Sequence, residues 1–325
     1  MKISVIVRTY NRPELLKEAL VSVQLQSHTD WEVIIFDDSA SDVNFNIYKD
    51  FKSQNPNNDV IYHTSNTPYN LFKNSWKLGA KLANGELIVR LDDDDLLAED
   101  ALEYLSNTYT HHIDLDFSYG SAVFFENTTL QQINQTQTPL EAPKTRDLWT
   151  AYTIPNNHPW TQPWSWTSNF YDEPQHYTSI IHCSKANIMC IYHTYVMRTS
   201  ALLKVIDKFE ITSNFVDDLE VMGSLDYLGL AHTSIKRILT YARVHNEGRV
   251  TDTGLKVNGT DLWNDIFLIR DKVDYLRTEG FQSNIYPNQL EGNFNEGRLT
   301  STHQHYFSNY IFRIKQIANK FGKSK

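Results

Sequence analysis

The chain has 325 residues, 41% hydrophobic, 21% charged and 13% aromatic, the composition of a globular protein able to bury a sizeable core. A net charge of −9 argues against nucleic-acid binding driven by overall electrostatics. The two cysteines, Cys183 and Cys190, make no disulfide framework, the run after Met1 is too short for a signal peptide, and no stretch is apolar for long enough to cross a bilayer, so a cytoplasmic location is expected.

Ile3–Val7 is a short run rich in β-branched residues and reads as a buried strand. The loop Thr9-Tyr10-Asn11-Arg12 leads to Pro13, which suits a first helical turn. Leu15, Leu16, Ala19, Leu20 and Val23 then recur at helical spacing. Val33–Phe36 is a second strand ending in Asp37-Asp38-Ser39, and Val60–Tyr62 a third. Leu71 to Leu82 reads as a helix closed by Asn84-Gly85. Leu87–Leu91 is a fourth strand, and it delivers four consecutive aspartates, Asp92 to Asp95, before a helical segment at Leu96–Leu105.

Phe117–Phe124 is another strand. From about 126 to 186 the chain becomes rich in Asn, Gln, Thr, Pro and aromatic residues, with no clear period. A stretch of that length inside a compact domain is expected to be a functional loop or lid. Ile188–Val196 resumes a strand and Ala201–Phe209 a short helix. Asp217-Asp218-Leu219-Glu220 opens a helix running to Leu228, and Ile235–Ala242 is a strand ending in Arg243-Val244-His245. Tyr306–Phe321 is amphipathic.

This order implies an α/β fold, a mostly parallel sheet flanked by helices. In such sheets ligands bind beyond the carboxyl ends of the strands. Three strand ends carry polar or acidic residues: Thr9-Tyr10, Asp37-Asp38 and Asp92–Asp95. Four adjacent carboxylates repel one another, and a hard divalent cation is the obvious counter-charge. A solvated acidic loop capping the next helix would also account for the run alone. Convergence of three such ends on one crevice favours a binding site.

These residues resemble the inverting glycosyltransferases of family 2, which have the nucleotide-sugar-binding GT-A fold. The resemblance rests on Ser4-Val5-Ile6-Val7-Arg8-Thr9-Tyr10-Asn11-Arg12, on Trp31 to Asp42, and on Ala83-Asn84-Gly85 through Asp95, which is similar to the approach to that family's DxD motif. It covers about the first 105 residues in order and spacing. Thinner likenesses follow at Tyr192 to Leu202, Val216 to Glu220 and Tyr241 to His245. The resemblance implies a GT-A domain over 1–250, with a nucleotide-sugar half (1–105) and an acceptor half (106–250) containing the 126–186 insertion. A helical region (251–325) follows.

The implied chemistry is transfer of a sugar from a nucleotide-sugar, of the UDP type, to an acceptor hydroxyl with the help of Mn²⁺ or Mg²⁺. If the aspartate run stays extended, Asp92 and Asp94 point the same way. Asp94, Asp95 and His245 are the metal candidates. Asp92 belongs with the ribose and metal, and Asp93 shares the nucleotide-sugar motif but faces away towards solvent. Thr9, Tyr10, Asp37 and Asp38 would line the base pocket, where a carboxylate suits the ring N–H of uracil. Tyr10 suits ordinary packing equally, and Arg12 is a further nucleotide-sugar-binding candidate. An Asp before Ser39 also forms turns. Lys73 and Arg243 would face the diphosphate, though either suits a surface position. Asp218, with Asp217 second, would take the acceptor's proton, or the pair would cap their helix.

Trp160, Trp164 and Trp166 suit stacking on a sugar acceptor, and equally the anchoring of a long loop. His193 is an acceptor-side candidate or a core residue. The stretch from Gly297 to Lys325 carries six Lys or Arg and no acidic residue. That suits a packed helix with a solvated basic tail, or peripheral docking on the inner face of a membrane. Two other classes share parts of this pattern. A sugar nucleotidyltransferase needs a Gly-rich basic loop after the first strand, which Thr9–Pro13 is not. A non-catalytic glycan- or nucleotide-binding protein needs no base at Asp218.

Overall fold

The computed structural model describes residues 1–39, 42–65, 70–126, 194–211, 217–244, 290–291 and 301–321. The strands are β1 (Ile3–Thr9), β2 (Trp31–Asp37), β3 (Val60–Thr64), β4 (Leu87–Asp92), β5 (Leu96–Leu97), β6 (Phe117–Glu126), β7 (Thr194–Arg198), β8 (His232–Val244) and β9 (Leu290–Glu291). The helices are α1 (Pro13–Gln24), α2 (Val43–Gln54), α3 (Asn70–Leu82), α4 (Ala101–His111), α5 (Thr199–Lys208), α6 (Asp217–Tyr227) and α7 (Ser301–Ala318). The strands form one sheet in the order β3-β2-β1-β4-β7-β6-β8-β5, with β9 beside β8. Strands β3, β2, β1 and β4 run parallel, and β7 enters antiparallel to both β4 and β6.

Side chains alternate across the sheet. Val5, Val7, Val33, Ile35, Val89 and Leu91 face one layer, completed by Leu16 and Leu20 of α1, Phe51 of α2, Leu102 and Leu105 of α4, and Ile311 and Ile314 of α7. Ile6, Ile34, Phe36 and Ile88 face the other, against Trp76 of α3, Leu202 of α5 and Val221 of α6. Both faces of the central strands are therefore covered, which is why their sequences are continuous apolar runs. Gly85 sets the entry to β4. A Cβ there would lie 2.7 Å from the main-chain nitrogen of Ser4 and 2.9 Å from the carbonyl oxygen of Lys2, so only glycine permits this approach.

The chain leaves β1 towards β2 and β3 on one side and returns through α3 to β4 on the other. The β1–β4 boundary is thus a topological switch point, where open α/β sheets form their ligand crevice. Two readings from sequence change. Helix α2 was not legible. The segment after the aspartates is β5, pairing with β8 at Leu96↔Tyr241, and α4 begins only at Ala101. Apart from Glu126, the insertion at 126–186 lies outside the described residues, as does most of 251–325.

Candidate active site

Parallel pairing sets Arg8 of β1 beside Asp92 of β4, and Thr9 beside Asp37 of β2. The ends of three strands therefore lie next to one another. Beyond Asp92 the backbone turns: the Asp95 N–H donates to the Asp92 carbonyl at 3.1 Å. That turn, rather than strand alternation, brings the carboxylates of Asp92, Asp94 and Asp95 within 4.8 Å of one another. Asp92 and Asp94 are half-buried and Asp95 is buried. An all-carboxylate set at this spacing fits a hard divalent cation.

The expectation that Asp93 is solvated is overturned. It is buried, accepting from the Thr9 hydroxyl at 2.8 Å and from Arg12 at 3.1 Å. Burial, then the adjacent charge of Asp94, pushes its carboxyl up to about 7. Arg12 also donates to Asp94 at 2.8 Å. Thr9 and Arg12 thus pin the acidic turn from below.

Two buried arginines missed from sequence organise the rest. The Arg8 guanidinium donates to Asp217 at 2.7 Å and to Asp92 at 3.4 Å. Arg90 donates to Asp92 at 3.2 Å and lies 3.7 Å from Asp217 and 3.9 Å from Asp218. Its guanidinium lies 5.5 Å from the ring centre of Trp76 and 5.6 Å from that of Tyr195. The two arginines join the acidic turn to the N-terminus of α6, where Asp217 and Asp218 also suit the helix dipole. Asp217 is buried between both guanidinium groups, whereas Asp218 is half-buried. Burial, followed by the charge of Asp218, holds the Tyr195 phenol well above its ordinary value, so it remains a donor to Asp218. A positive residue inside an apolar strand run was the available signal for both arginines, since such residues are rarely buried unpaired.

At the end of β2, Asp37 accepts from the Ser39 N–H at 2.8 Å and from the Tyr62 hydroxyl. Burial, then that bond, raises the Tyr62 phenol. Asp38 is buried and accepts from the Leu71 N–H at 2.9 Å, tying β2 to the start of α3. Asn11 adopts φ 52°, and its N–H donates to the Ser39 hydroxyl at 2.7 Å. Tyr10 is half-buried beside it. The loops after β1 and β2 are therefore fastened together.

Arg243 has partners other than the expected phosphate. Its main-chain N–H donates to the Asp95 carboxylate at 2.9 Å, Nε donates to the Asp94 carbonyl at 2.9 Å, and a terminal nitrogen donates to Glu18 at 2.6 Å. The side chain is fully buried, so in this conformation Arg243 braces the acidic turn from inside. Lys73 lies on α3, but its side chain is outside the described residues, as are Trp160, Trp164, Trp166, His193 and His245.

The open, mostly parallel sheet with a carboxylate cluster at its switch point is of the GT-A type. Staphylococcus aureus TarS shares the fold. TarS 1–349 in complex with UDP-GlcNAc aligns with a TM-score of 0.53 at 19% identity, over 83% of this chain and 65% of that one. Residues 4–197, more than half of the chain, match the model of glycosyl transferase family 2, and the chain belongs to that family. Relatives include the GalNAc(5)-diNAcBac-PP-undecaprenol beta-1,3-glucosyltransferase of Campylobacter jejuni, 38% identical over 105 residues (32% of this chain, 33% of the relative). The poly(ribitol-phosphate) beta-N-acetylglucosaminyltransferase TarP of Staphylococcus aureus is 36% identical over 110 residues (33% and 32%). The chain is matched over about a third or less of the length of these relatives.

Proposed function

We propose that the protein is a metal-dependent inverting glycosyltransferase that moves a sugar from a UDP-sugar to an acceptor hydroxyl. The observation that carries this reading is the cluster of Asp92, Asp94 and Asp95 within 4.8 Å at the sheet's switch point, linked through Arg90 to Asp218 at the head of α6. TarS in complex with UDP-GlcNAc, and relatives named as glucosyl- and N-acetylglucosaminyltransferases, support the donor class.

In this reading Asp92, Asp94 and Asp95 hold Mn²⁺ or Mg²⁺, which when bound supplies Lewis-acid stabilisation of the departing diphosphate. Asp38, beside Asp37, is assigned to the uracil N–H, although its carboxylate also accepts from Leu71, as both oxygens of Asp37 accept internal bonds. Tyr10 is assigned to the same pocket, Thr9 and Arg12 act through the acidic turn that they hold, and Lys73 is a candidate for the diphosphate. Asp218 acts as general base. Its carboxylate takes the proton of the acceptor hydroxyl while the oxygen bonds to the anomeric carbon and the bond to the diphosphate breaks. Tyr195 and Arg90 orient that carboxylate. Asp217, paired with two arginines, has a supporting part. One displacement inverts the anomeric centre and requires no enzyme nucleophile. Trp160, Trp164, Trp166 and His193 belong to the acceptor side, and His245 is a further metal candidate.

The test is release of UDP and formation of glycoside from UDP-sugars with Mn²⁺, using wild type and Asp218→Asn. The reading expects turnover by wild type and loss of transfer by the variant with donor binding retained. Undiminished transfer by Asp218→Asn moves the base elsewhere.

A further inference from the structure

We propose that Glu18 on α1 is a positioning residue for the divalent-cation site: it holds the Arg243 guanidinium on its own carboxylate, so that this group does not compete with the cation for the carboxylates of Asp94 and Asp95. The inference rests on the metal reading of Asp92, Asp94 and Asp95.

Arg243 reaches the acidic turn from β8. Its backbone already engages Asp95, and Nε engages a main-chain oxygen of Asp94 rather than a carboxylate. The terminal nitrogen is turned to Glu18 at 2.6 Å. A buried guanidinium requires an anionic partner. Arg243 already contacts Asp94 and Asp95 through Nε and its main-chain N–H, so without Glu18 a guanidinium turned to their carboxylates would compete with a metal ion for the same oxygens. Glu18 is itself fixed from the opposite side, where Lys315 of α7 donates to its second oxygen at 2.7 Å. Glu18 and Lys315 are mostly buried, with side-chain exposures of 12% and 7%.

The arrangement is thus a chain from the C-terminal helix through Lys315, Glu18 and Arg243 to the turn. Each guanidinium or ammonium group in it has a carboxylate partner outside the metal oxygens. Arg12 differs, since it donates to the Asp94 carboxylate itself. A cation arriving at Asp94 meets the part-buried Arg12 contact, and would meet a second guanidinium, that of Arg243, if Glu18 were absent.

The experiment is calorimetric titration of Mn²⁺ into the full chain in the presence of UDP, with melting curves to establish folding. The variants are Glu18→Gln, Lys315→Met and the double variant, which removes Glu18 without stranding the lysine charge. Loss of an outer partner of a metal site weakens metal affinity by about tenfold or more. That loss is expected for Glu18→Gln and for the double variant, while Lys315→Met, which retains the Glu18–Arg243 pair, stays within about twofold of wild type, well short of such a loss. Wild-type affinity in the folded double variant overturns the proposal. So does an equal loss in Lys315→Met, because loosening of the α1–α7 seam would then set the affinity. If wild type binds no Mn²⁺, the cation site itself falls and the role of Glu18 falls with it, an outcome distinct from the other two.

Discussion

Replacing Arg90 by Met removes one buried cation while keeping an unbranched side chain between Trp76 and Tyr195. Arg90 lies 3.2 Å from Asp92, 3.7 Å from Asp217 and 3.9 Å from Asp218. Removing one partner of a buried pair costs about 3–5 kcal/mol when the other charge is left uncompensated. Here the penalty is smaller, because Arg8 still reaches Asp217 at 2.7 Å. Loss of two cation–π contacts adds about 0.5–2 kcal/mol, and thioether contacts with the rings return part of it. The expected net loss is about 2–3 kcal/mol, a large share of a typical 5–15 kcal/mol. Urea unfolding followed by tryptophan fluorescence, in chelator, measures it. Adding Mn²⁺ is expected to recover part of the loss, because the cation offsets the charge on Asp92. A loss below about 0.5 kcal/mol, the range of ordinary surface substitutions, would refute the claim that Arg90 organises the cluster.

Further outcomes follow from the same geometry. Asp94→Asn abolishes turnover at any practical Mn²⁺ concentration, and excess chelator abolishes it in wild type; full activity in chelator contradicts the metal role. Gly85→Ala loses about 1–3 kcal/mol, as overpacked sites do, because its Cβ meets the backbone of Ser4 and Lys2; unchanged urea stability contradicts the close approach. Burial lowers the Lys315 ammonium, with Glu18 opposing the shift. The folded state therefore binds fewer protons than the unfolded chain between that lowered value and 10.5, and stability from this group rises with pH across that window. The difference in stability between wild type and Lys315→Met, measured from pH 8 to 10.5, should grow in favour of wild type. A flat difference contradicts it.

Much of the fold was legible because β1, β2 and β4 are buried on both faces, and such strands announce themselves as β-branched runs. Helix α2 was not. Its buried positions are Asn44, Ile47 and Phe51, and an asparagine on the inner face with polar residues throughout leaves a weak apolar period. The grouping of Asp92 with Asp94 was legible, but for an incomplete reason. Alternation along a strand suggested Asp92 and Asp94, whereas the observed grouping comes from a turn that also admits Asp95 and buries Asp93. The supporting arginines were hidden by distance. Arg8 meets Asp217, 209 residues away, and Arg243 meets Glu18, 225 residues away. Spacing in a single sequence carries no information about such contacts.

In the proposed function the turn at Asp92–Asp95 would hold a cation that offsets the charge of a nucleotide-sugar's diphosphate. A melting screen of nucleotide-sugars, each with Mn²⁺ and with chelator, on wild type and Asp94→Asn, tests it most directly. A ligand at a hundredfold excess over its Kd stabilises the folded state by about 2.7 kcal/mol. A UDP-sugar with Mn²⁺ is expected to raise the melting temperature of wild type, and chelator or Asp94→Asn to remove the rise. A rise of equal size in chelator, or none with any nucleotide-sugar, would contradict it.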